Sequence, residues 1–507
     1  MQETLEFIRT SSNAAPSVPF KDFLLKDKFN RFALVLCAAI IIIEFCVFKY
    51  YYPYAAFISG DSFAYLETAF YNLSINTYPV GYSMFLRLFS VFTSSDTVLV
   101  AFQYIFMQAS VLSLIFTITY FYEPRKWIKV IMIGAAVLSP ISLYMANYVS
   151  SDSLFFSLSV TWFVLLIWIL HRPSMWLIAI HSIVIFLAFT VRYNAMYYPV
   201  ISVLAFFLSK EKIKEKIIGV GIIMMLIGSF VVNTSLHYKK LTGKFQFSPF
   251  TGWQMASNGL LAYRHIDSAQ RKNLPVKFKK LDQDVRRYFD STRKNLFEQF
   301  LVHTMYMWKP QSPLRAYMRD EFKNDSTKQE FQKWASVAPL LKEYGSTLIK
   351  EYPLTFTKKY LWPNFLKYYA PPVEFLETYG FNVDTVSPIT KRWFGYSTNK
   401  VYRRLAGKNV EILSYYPMIC GAMNAVFVMV GLSFLILGGR KSEGKFFQNW
   451  VLFVLFWLVN LAFSVFAAPI ALRFQVFPLV ICFTINWILI DFIIKKAFAA
   501  ETKDVSA

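Results

Sequence analysis

Long runs of apolar residues constrain the fold of this chain more than any other feature of its sequence. A helix needs about 20 mostly apolar residues to cross the hydrocarbon core of a bilayer, and runs close to that length recur along the chain. The pattern predicts an all-α polytopic membrane protein with about ten transmembrane helices. The predicted spans are 32–48, 97–121, 127–146, 153–170, 175–190, 195–209, 217–237, 413–437, 449–468 and 473–494.

The composition indicates the same class of protein. Hydrophobic residues make up 56% of the chain and charged residues only 17%, whereas soluble proteins contain about 25% charged residues. A soluble enzyme, a disordered chain and a coiled coil are therefore excluded. In a membrane protein, the formal net charge of +22 favours the lipid bilayer and anionic substrates as partners over nucleic acid.

The distribution of Lys and Arg predicts the orientation of the spans. If the N-terminus is cytoplasmic, each short loop on that side carries Lys or Arg, whereas the short opposite loops carry only Arg192 and Arg473. This asymmetry satisfies the positive-inside rule. The predicted organisation is a cytoplasmic segment 1–31, a transmembrane catalytic module 32–237 with an outer loop 49–96, an outer domain 238–412, C-terminal spans 413–494 and a cytoplasmic tail 495–507.

The outer segment 238–412 holds about 30 of the 53 Lys and Arg residues and about 15 acidic residues. Long domains cross the membrane largely regardless of charge, so this basicity is compatible with the predicted orientation. Its apolar residues recur with helical spacing and little strand alternation, which predicts a mainly helical domain lying on the membrane. The clearest example is 281–308, with Leu281, Val285, Tyr288, Phe289, Leu296, Phe300 and Leu301.

The first outer loop contains the leading candidate for catalysis, Asp61, in the sequence GDSFAYLETAF. A carboxylate at the membrane surface can act as a general base that deprotonates an attacking hydroxyl or amine. The alternative is that Asp61 only caps the helix beginning near Phe63. Glu67 is either a second candidate or a solvated charge on that helix. The amphipathic run 83–92 predicts a further helix that lies in the membrane interface.

Three other ionisable residues fall on the same predicted side of the membrane: Asp152, Arg192 and Arg473. Ionisable groups at the membrane edge are candidates for function, and the fork of an arginine suits a phosphate. The alternatives are that Asp152 is a helix N-cap and that both arginines extend to the interface. Two arginines beside one carboxylate would fit a lipid phosphate and a base that activates a nucleophile.

Sequence motifs of soluble enzymes are missing. The chain has no glycine-rich phosphate loop, HExxH or GxSxG motif with a triad. The first loop has no DxD pair of the kind that binds a metal and a nucleotide sugar. The four cysteines lie in apolar runs without metal-ligand spacing. The sequence predicts neither a metal nor a cofactor.

Four local patterns, in order along the chain, resemble the GT-C superfamily of polyprenyl-phosphate-sugar-dependent glycosyltransferases. The relatives in question are protein O-mannosyltransferases and the aminoarabinose transferases that act on lipid A. The patterns are Gly60-Asp61-Ser62 with Tyr65, the YPVGY element 78–82, the VRYNA element 191–195 with Pro199, and the stretch 469–478 with Arg473.

The resemblance implies an inverting transfer from a polyprenyl-phosphate sugar, the predicted donor, to a glycan, lipid or protein acceptor. It implies Asp61 as the catalytic base and Arg192 and Arg473 as contacts of the leaving phosphate. Several relatives carry adjacent acidic residues in the first loop, whereas Ser62 follows Asp61. Whether Glu67 or Asp152 supplies a second carboxylate is open; these two residues and Tyr82 complete the predicted substrate site.

Two other functions compete with this interpretation. A transporter or flippase of lipid-linked or anionic glycans would favour internal repeats and polar groups near the middle of the membrane, whereas the candidates here lie at one face. A non-catalytic assembly protein would not need Asp61. The expected location is a bacterial inner membrane, with the active site facing the periplasm.

Overall fold

The computed structural model of the protein describes residues 18–292, 304–405, 407 and 409–504. The protein is 76% helical, and no β-strand occurs in these ranges. Leu296, Phe300 and Leu301 of the predicted amphipathic pattern lie outside the described residues. The all-α class predicted from the sequence is confirmed.

The helices of the first half run from the N-terminal segment to the last residue before the large inserted segment. They are α1 Phe20–Leu25, α2 Lys28–Tyr51, α3 Asp61–Phe70, α4 Gly81–Ser90, α5 Asp96–Tyr122, α6 Lys126–Val137, α7 Pro140–Asn147, α8 Ser151–His171, α9 Met175–Val191, the 3-10 helix Tyr193–Tyr197, α10 Tyr198–Leu208 and α11 Ile213–Thr242.

The helices of the second half begin with the inserted segment and end with three long apolar helices. They are α12 Pro249–Tyr263, α13 Lys279–Thr292, α14 Met305–Trp308, α15 Pro313–Glu321, α16 Glu330–Glu351, α17 Pro353–Phe356, α18 Trp362–Tyr369, α19 Pro388–Phe394, α20 Tyr416–Ile436, α21 Gly439–Ser442, α22 Gly444–Ala467 and α23 Leu472–Asp504. Short 3-10 helices lie at Ser268–Gln270, Val276–Phe278, Tyr379–Asn382 and Glu411–Leu413, and a π-helix lies at Thr357–Leu361.

Eight helical segments within the described residues are long and apolar enough to cross a membrane. By the length and composition of these helices, the chain is a multi-pass membrane protein. The other two predicted spans, 175–190 and 195–209, correspond to shorter apolar helices. The eight segments are Lys28–Tyr51, Asp96–Tyr122, Lys126–Asn147, Ser151–His171, Ile213–Thr242, Glu411–Ile436, Gly444–Ala467 and Leu472–Ala499.

The spanning helices differ in how deeply they are buried. In α8, 78% of the most apolar window is buried within the protein, whereas the same measure is 17% in α2 and α11. Helix α8 therefore lies at the centre of the bundle, and α2 and α11 leave apolar faces for lipid. The centre is packed with aromatic rings: Trp162 of α8 stacks on Tyr198 with ring centroids 4.0 Å apart.

The inserted segment has a hydrophobic core of its own, formed by buried residues between Tyr238 and Tyr360. Helices α12 and α16 pack against each other along glycines. A Cβ on Gly252 would overlap the carbonyl of Ala338, and one on Gly345 would overlap the backbone at Met255. The predicted residues Leu281, Val285 and Phe289 are buried in this core, and Tyr288 packs at its edge.

The remainder of the inserted segment returns to the membrane bundle. Val373, Leu376, Val386 and Phe394 belong to the same hydrophobic core as the spanning helices. The predicted outer domain 238–412 thus contains two structural parts. The first part builds its own core, and the second part packs on the ends of the bundle.

Two backbone contacts fix the first loop against the bundle. Ala56 N donates to Asn147 O over 2.8 Å, and Val149 N donates to Ala56 O over 2.9 Å. The start of α4 lies on the end of α9: a Cβ on Gly81 would come within 2.5 Å of the Thr190 carbonyl. Only glycine allows this approach, which explains why glycine occupies the fourth position of the YPVGY element.

We expect Gly81→Ala to lower stability by about 1–3 kcal/mol, because the added methyl group forces α4 away from the Thr190 backbone. The measurement is the thermal unfolding midpoint of the purified protein in detergent. Gly134→Ala in α6 is the matched control, since no atom lies within 4 Å of the added Cβ. Equal midpoints for the two variants would contradict the close approach.

Candidate active site

Four charged residues from four helix ends meet at one end of the bundle. Asp61 begins α3, Asp152 is the second residue of α8, Arg192 follows α9, and Arg473 is the second residue of α23. Asp152 pairs with both arginines: its Oδ1 accepts from Arg192 Nη1, and its Oδ2 lies 2.9 Å from Arg473 Nη1. Arg473 Nη2 lies 3.4 Å from Asp61 Oδ2. We call this series, Arg192–Asp152–Arg473–Asp61, the ion-pair chain.

Asp152 is the buried centre of the ion-pair chain, with its side chain 5% exposed. The interpretation of Asp152 as the N-cap of α8 is wrong, because Ser150 has that position and its hydroxyl accepts from Asp152 N. The same hydroxyl donates to Asp152 Oδ2 over 2.9 Å. Both carboxylate oxygens are therefore satisfied, and Asp152 holds the two guanidinium groups in place.

Asp61 differs from Asp152 in its accessibility, since its side chain is 23% exposed. Gly60 occupies the N-cap position with a φ of +89°, and it provides no side-chain cap. Asp61 is the first residue of α3, and its carboxylate contacts Tyr78 and Arg473. The capping interpretation of Asp61 is thus not the one observed. Asp61 is the carboxylate of the ion-pair chain that a ligand can reach.

The two arginines are held between aromatic rings. The Arg473 guanidinium lies 4.5 Å from the centroid of Phe375 and 4.6 Å from that of Phe474. The Arg192 guanidinium lies 4.8 Å from Phe474, so that this ring contacts both cations. The side chain of Arg473 is 8% exposed and that of Arg192 is 19% exposed. Both side chains point inward to Asp152. They do not extend outward to the membrane interface, which was the alternative prediction.

The segment 372–376, which we call the strap, covers Arg473. Glu374 and Phe375 have positive φ values of +25° and +55°, a region that residues other than glycine adopt rarely and at a cost. The strap is fixed by two hydrogen bonds: Leu472 N donates to Pro372 O over 2.8 Å, and the Tyr148 hydroxyl donates to Phe375 O over 2.9 Å. Backbone strain therefore lies directly over a buried cation.

The tyrosines of the first loop complete the site. The Tyr78 hydroxyl donates to Asp61 Oδ1 over 2.6 Å. Burial and the Asp61 carboxylate raise the pKa of this hydroxyl well above its usual value, so that it stays protonated as a donor. Tyr65 shares a hydrogen bond of 2.9 Å with Ser151, beside Asp152. The predicted site residue Tyr82 is buried and donates to Gln103 over 2.8 Å, so that it supports the site from behind.

Glu67 is the one predicted site residue that the structure leaves apart from this cluster. It is exposed on α3, and within the described ranges its carboxylate has no ion pair. Sequence reasoning did not place Tyr78, Ser150, Phe375 or Phe474 in the site. The position of Tyr78 in the YPVGY element was the available signal, whereas nothing near Phe375 in the sequence indicated a contact with Arg473.

A cavity of about 20 Å³ lies between Asp152, Arg192 and Arg473, a space that holds about one water molecule. Arg473 Nε is buried beside it and has no hydrogen-bond partner among the described residues. A larger ligand therefore requires movement of one wall. In the part of the chain that the structure describes, no group of three His, Cys, Asp or Glu side chains is placed to hold a metal ion. The other residues around the cavity are Phe155, Phe156, Asn194, Tyr197, Tyr198, Asn460, Phe474, Phe477 and Pro478.

Comparison of the chain with protein-family models, with curated proteins and with solved structures gave no match. Any assignment of function to this site rests on its own residues and geometry, together with the resemblance noted in the sequence.

We expect Asp152→Asn to lower stability by about 3–5 kcal/mol, because it removes the charge shared by two largely buried arginines. Asp61→Asn should cost less, since Asp61 is partly exposed and contacts only one arginine, over 3.4 Å. Thermal unfolding of both variants in detergent provides the comparison. A larger loss for Asp61→Asn would contradict the central position of Asp152.

Proposed function

We propose that the protein is an inverting membrane glycosyltransferase that moves a sugar from a polyprenyl-phosphate donor to an acceptor at the membrane surface. The observation that carries the proposal is the ion-pair chain. It places a reachable carboxylate, Asp61, beside Arg473, whose position relative to Arg192 is fixed by a second, buried carboxylate, Asp152. In such a transfer, a carboxylate can serve as the general base and arginines can stabilise the leaving phosphate.

Asp61 acts as the general base in the proposed reaction. The acceptor hydroxyl or amine attacks the anomeric carbon of the donor sugar, and its proton passes to the Asp61 carboxylate. The bond between the anomeric carbon and the phosphate oxygen breaks, and polyprenyl phosphate leaves with the electron pair. The attack takes place opposite the leaving group, so the anomeric configuration inverts.

Arg192 and Arg473 stabilise the leaving phosphate. The phosphate gains negative charge as the bond breaks, and fixed cations in a site with little water lower the energy of that charge. The flat guanidinium groups can each donate two parallel hydrogen bonds to phosphate oxygens. Phe474 lies against both guanidinium groups and so holds them beside one ring.

Donor binding begins with the weakest contact of the ion-pair chain. The distance of 3.4 Å between Arg473 Nη2 and Asp61 Oδ2 is the longest of its three contacts. A donor phosphate replaces Asp61 at this position and takes the unpaired Nε as well. The exchange frees the Asp61 oxygen that receives the proton, while Tyr78 still orients the other oxygen.

The second carboxylate has a positioning role in this proposal. Asp152 is paired with both arginines and buried, so it fixes the cations and takes no proton from the acceptor. Glu67 is exposed and outside the ion-pair chain. The distribution of basic loop residues supports an orientation in which the site faces away from the cytoplasm, which in a bacterial inner membrane is the periplasmic side.

We expect Asp61→Asn to lower the rate of sugar transfer by about 10²–10⁴-fold, since the amide cannot accept the proton. Undecaprenyl-phosphate hexoses and pentoses are supplied to the purified protein with a crude envelope-glycan extract, and release of undecaprenyl phosphate is measured by mass spectrometry. Glu67→Gln on the same helix is the control and should keep the wild-type rate. Normal turnover in Asp61→Asn, or transbilayer movement of the donor without release of the phosphate, would overturn the proposal.

We expect Arg192→Lys and Arg473→Lys to raise the KM for the donor by about tenfold or more, because lysine keeps the charge but loses the two parallel donors. The retained charge still neutralises Asp152, which protects the fold. Steady-state kinetics with the donor and the acceptor varied separately provide the measurement. A change confined to the KM of the acceptor would argue against phosphate binding by these residues.

A further inference from the structure

A cleft of about 630 Å³ opens between α12 and α16 in the inserted segment. This volume falls within the range of about 300–1,000 Å³ that is usual for binding sites of small molecules. The cleft lies outside the ion-pair chain, and the proposed reaction does not use its residues. Its walls are the segment 245–252 and one face of α16.

The walls of the cleft combine three kinds of group. Phe245 and Phe247 present aromatic rings, and Ser248, Thr251, Ser346 and Thr347 present hydroxyl groups. Lys277, Lys342 and Lys350 face one acidic residue, Glu343, which leaves the cleft with two excess positive charges. Rings that stack on the apolar faces of sugars, together with hydroxyls and cations, suit an anionic carbohydrate.

The excess charge is available to a ligand. Glu343 pairs with Lys277, while Lys342 and Lys350 are exposed and form no ion pair with any residue that the structure describes. These two lysines lie about two turns apart on α16, and both line the cleft. The segment 238–412 as a whole carries about twice as many basic as acidic residues, which adds to the attraction of an anion.

The wall of the cleft is fixed in position. Pro339 in α16 cannot donate to the carbonyl of Ala335, and Gln246 Nε2 donates to that oxygen over 3.0 Å. The side chain of Gln246 thereby joins the two walls.

The same wall contacts residues of the proposed reaction centre. The Phe247 ring lies 4.5 Å from the ring of Tyr193, which follows Arg192 in the chain. The Phe250 ring lies 5.8 Å from the ring of Tyr78, whose hydroxyl donates to Asp61. The wall of the cleft therefore packs directly on residues that flank the ion-pair chain.

We infer that the cleft binds the acceptor, and that the acceptor is an anionic oligosaccharide whose carboxylate or phosphate groups contact Lys342 and Lys350. That the bound molecule is the acceptor rests on the proposed function. That the cleft binds an anionic oligosaccharide rests only on the residues of the cleft. The terminal hydroxyl of the bound chain extends past Phe247 and Phe250 toward Asp61.

Binding is measured with the full-length protein in detergent by titration calorimetry at low ionic strength. The probes are a tetragalacturonate, its methyl ester as the uncharged match, a phosphorylated mannose oligosaccharide and inorganic phosphate. The variant is Lys342→Glu/Lys350→Glu, and the control is Lys333→Glu on the same helix but outside the cleft. All substitutions are at the protein surface, where they leave the fold intact.

We expect at least one charged oligosaccharide to bind, with its Kd raised about tenfold or more in the double variant and unchanged in Lys333→Glu. Preference for the galacturonate or the phosphorylated probe identifies the anionic group. Equal binding of the methyl ester, binding of inorganic phosphate alone, or a Kd that is the same in all variants would overturn the inference. Sugar transfer that persists with unaltered acceptor KM in the double variant would overturn the cleft's role and leave the proposed function standing. Binding of the oligosaccharide without any sugar transfer would overturn the proposed function and leave the binding site standing.

Discussion

The candidate site depends on one buried carboxylate that two arginines share. Moving a charged group out of water costs several kcal/mol, and Asp152, Arg192 and Arg473 are all largely buried. Asp152 accepts from both arginines and so offsets much of this cost. Ser150 completes the carboxylate's hydrogen bonds, and Phe474 occupies the space between the two cations. This arrangement leaves Asp61 as the fourth charged group, attached by one long contact.

The fold brings these groups together by ending four helices at the same level. None of the four residues lies in the middle of a spanning helix: each is within two residues of a helix end. A charge at that depth can reach water or a headgroup, whereas the same charge in the middle of an apolar helix could not. The backbone contacts between Ala56 and the 147–149 turn then set the first loop at that level.

The sequence was sufficient for the class of fold and for most of the charged site. Apolar run length is a local property, so the spans could be read directly, and arginines in loops otherwise poor in charge stood out as exceptions.

The partners of those charges were harder to predict. Phe375 lies about a hundred residues before Arg473, and their contact depends on a segment that folds back over the bundle. The choice between a site residue and a solvated charge at Glu67 stayed open in the sequence, because helical spacing from Asp61 says nothing about which face of α3 is covered. The division of the segment 238–412 into two parts was missed for the same reason, since amphipathic spacing does not identify the core that an element joins.

The strap over Arg473 has a consequence for access to the site. Each positive φ at a residue other than glycine costs roughly 1–3 kcal/mol, and Glu374 and Phe375 are two in succession. A cation–π contact such as that between Phe375 and Arg473 returns about 0.5–2 kcal/mol. The strain of the two residues together, about 2–6 kcal/mol, is at least as large as this return, so the strap stays closed through its hydrogen bonds to Leu472 and Tyr148 as well. A phosphate that replaced the Phe375 ring as the partner of Arg473 would favour the lifted position of the strap. Binding of the ligand would then itself open the site.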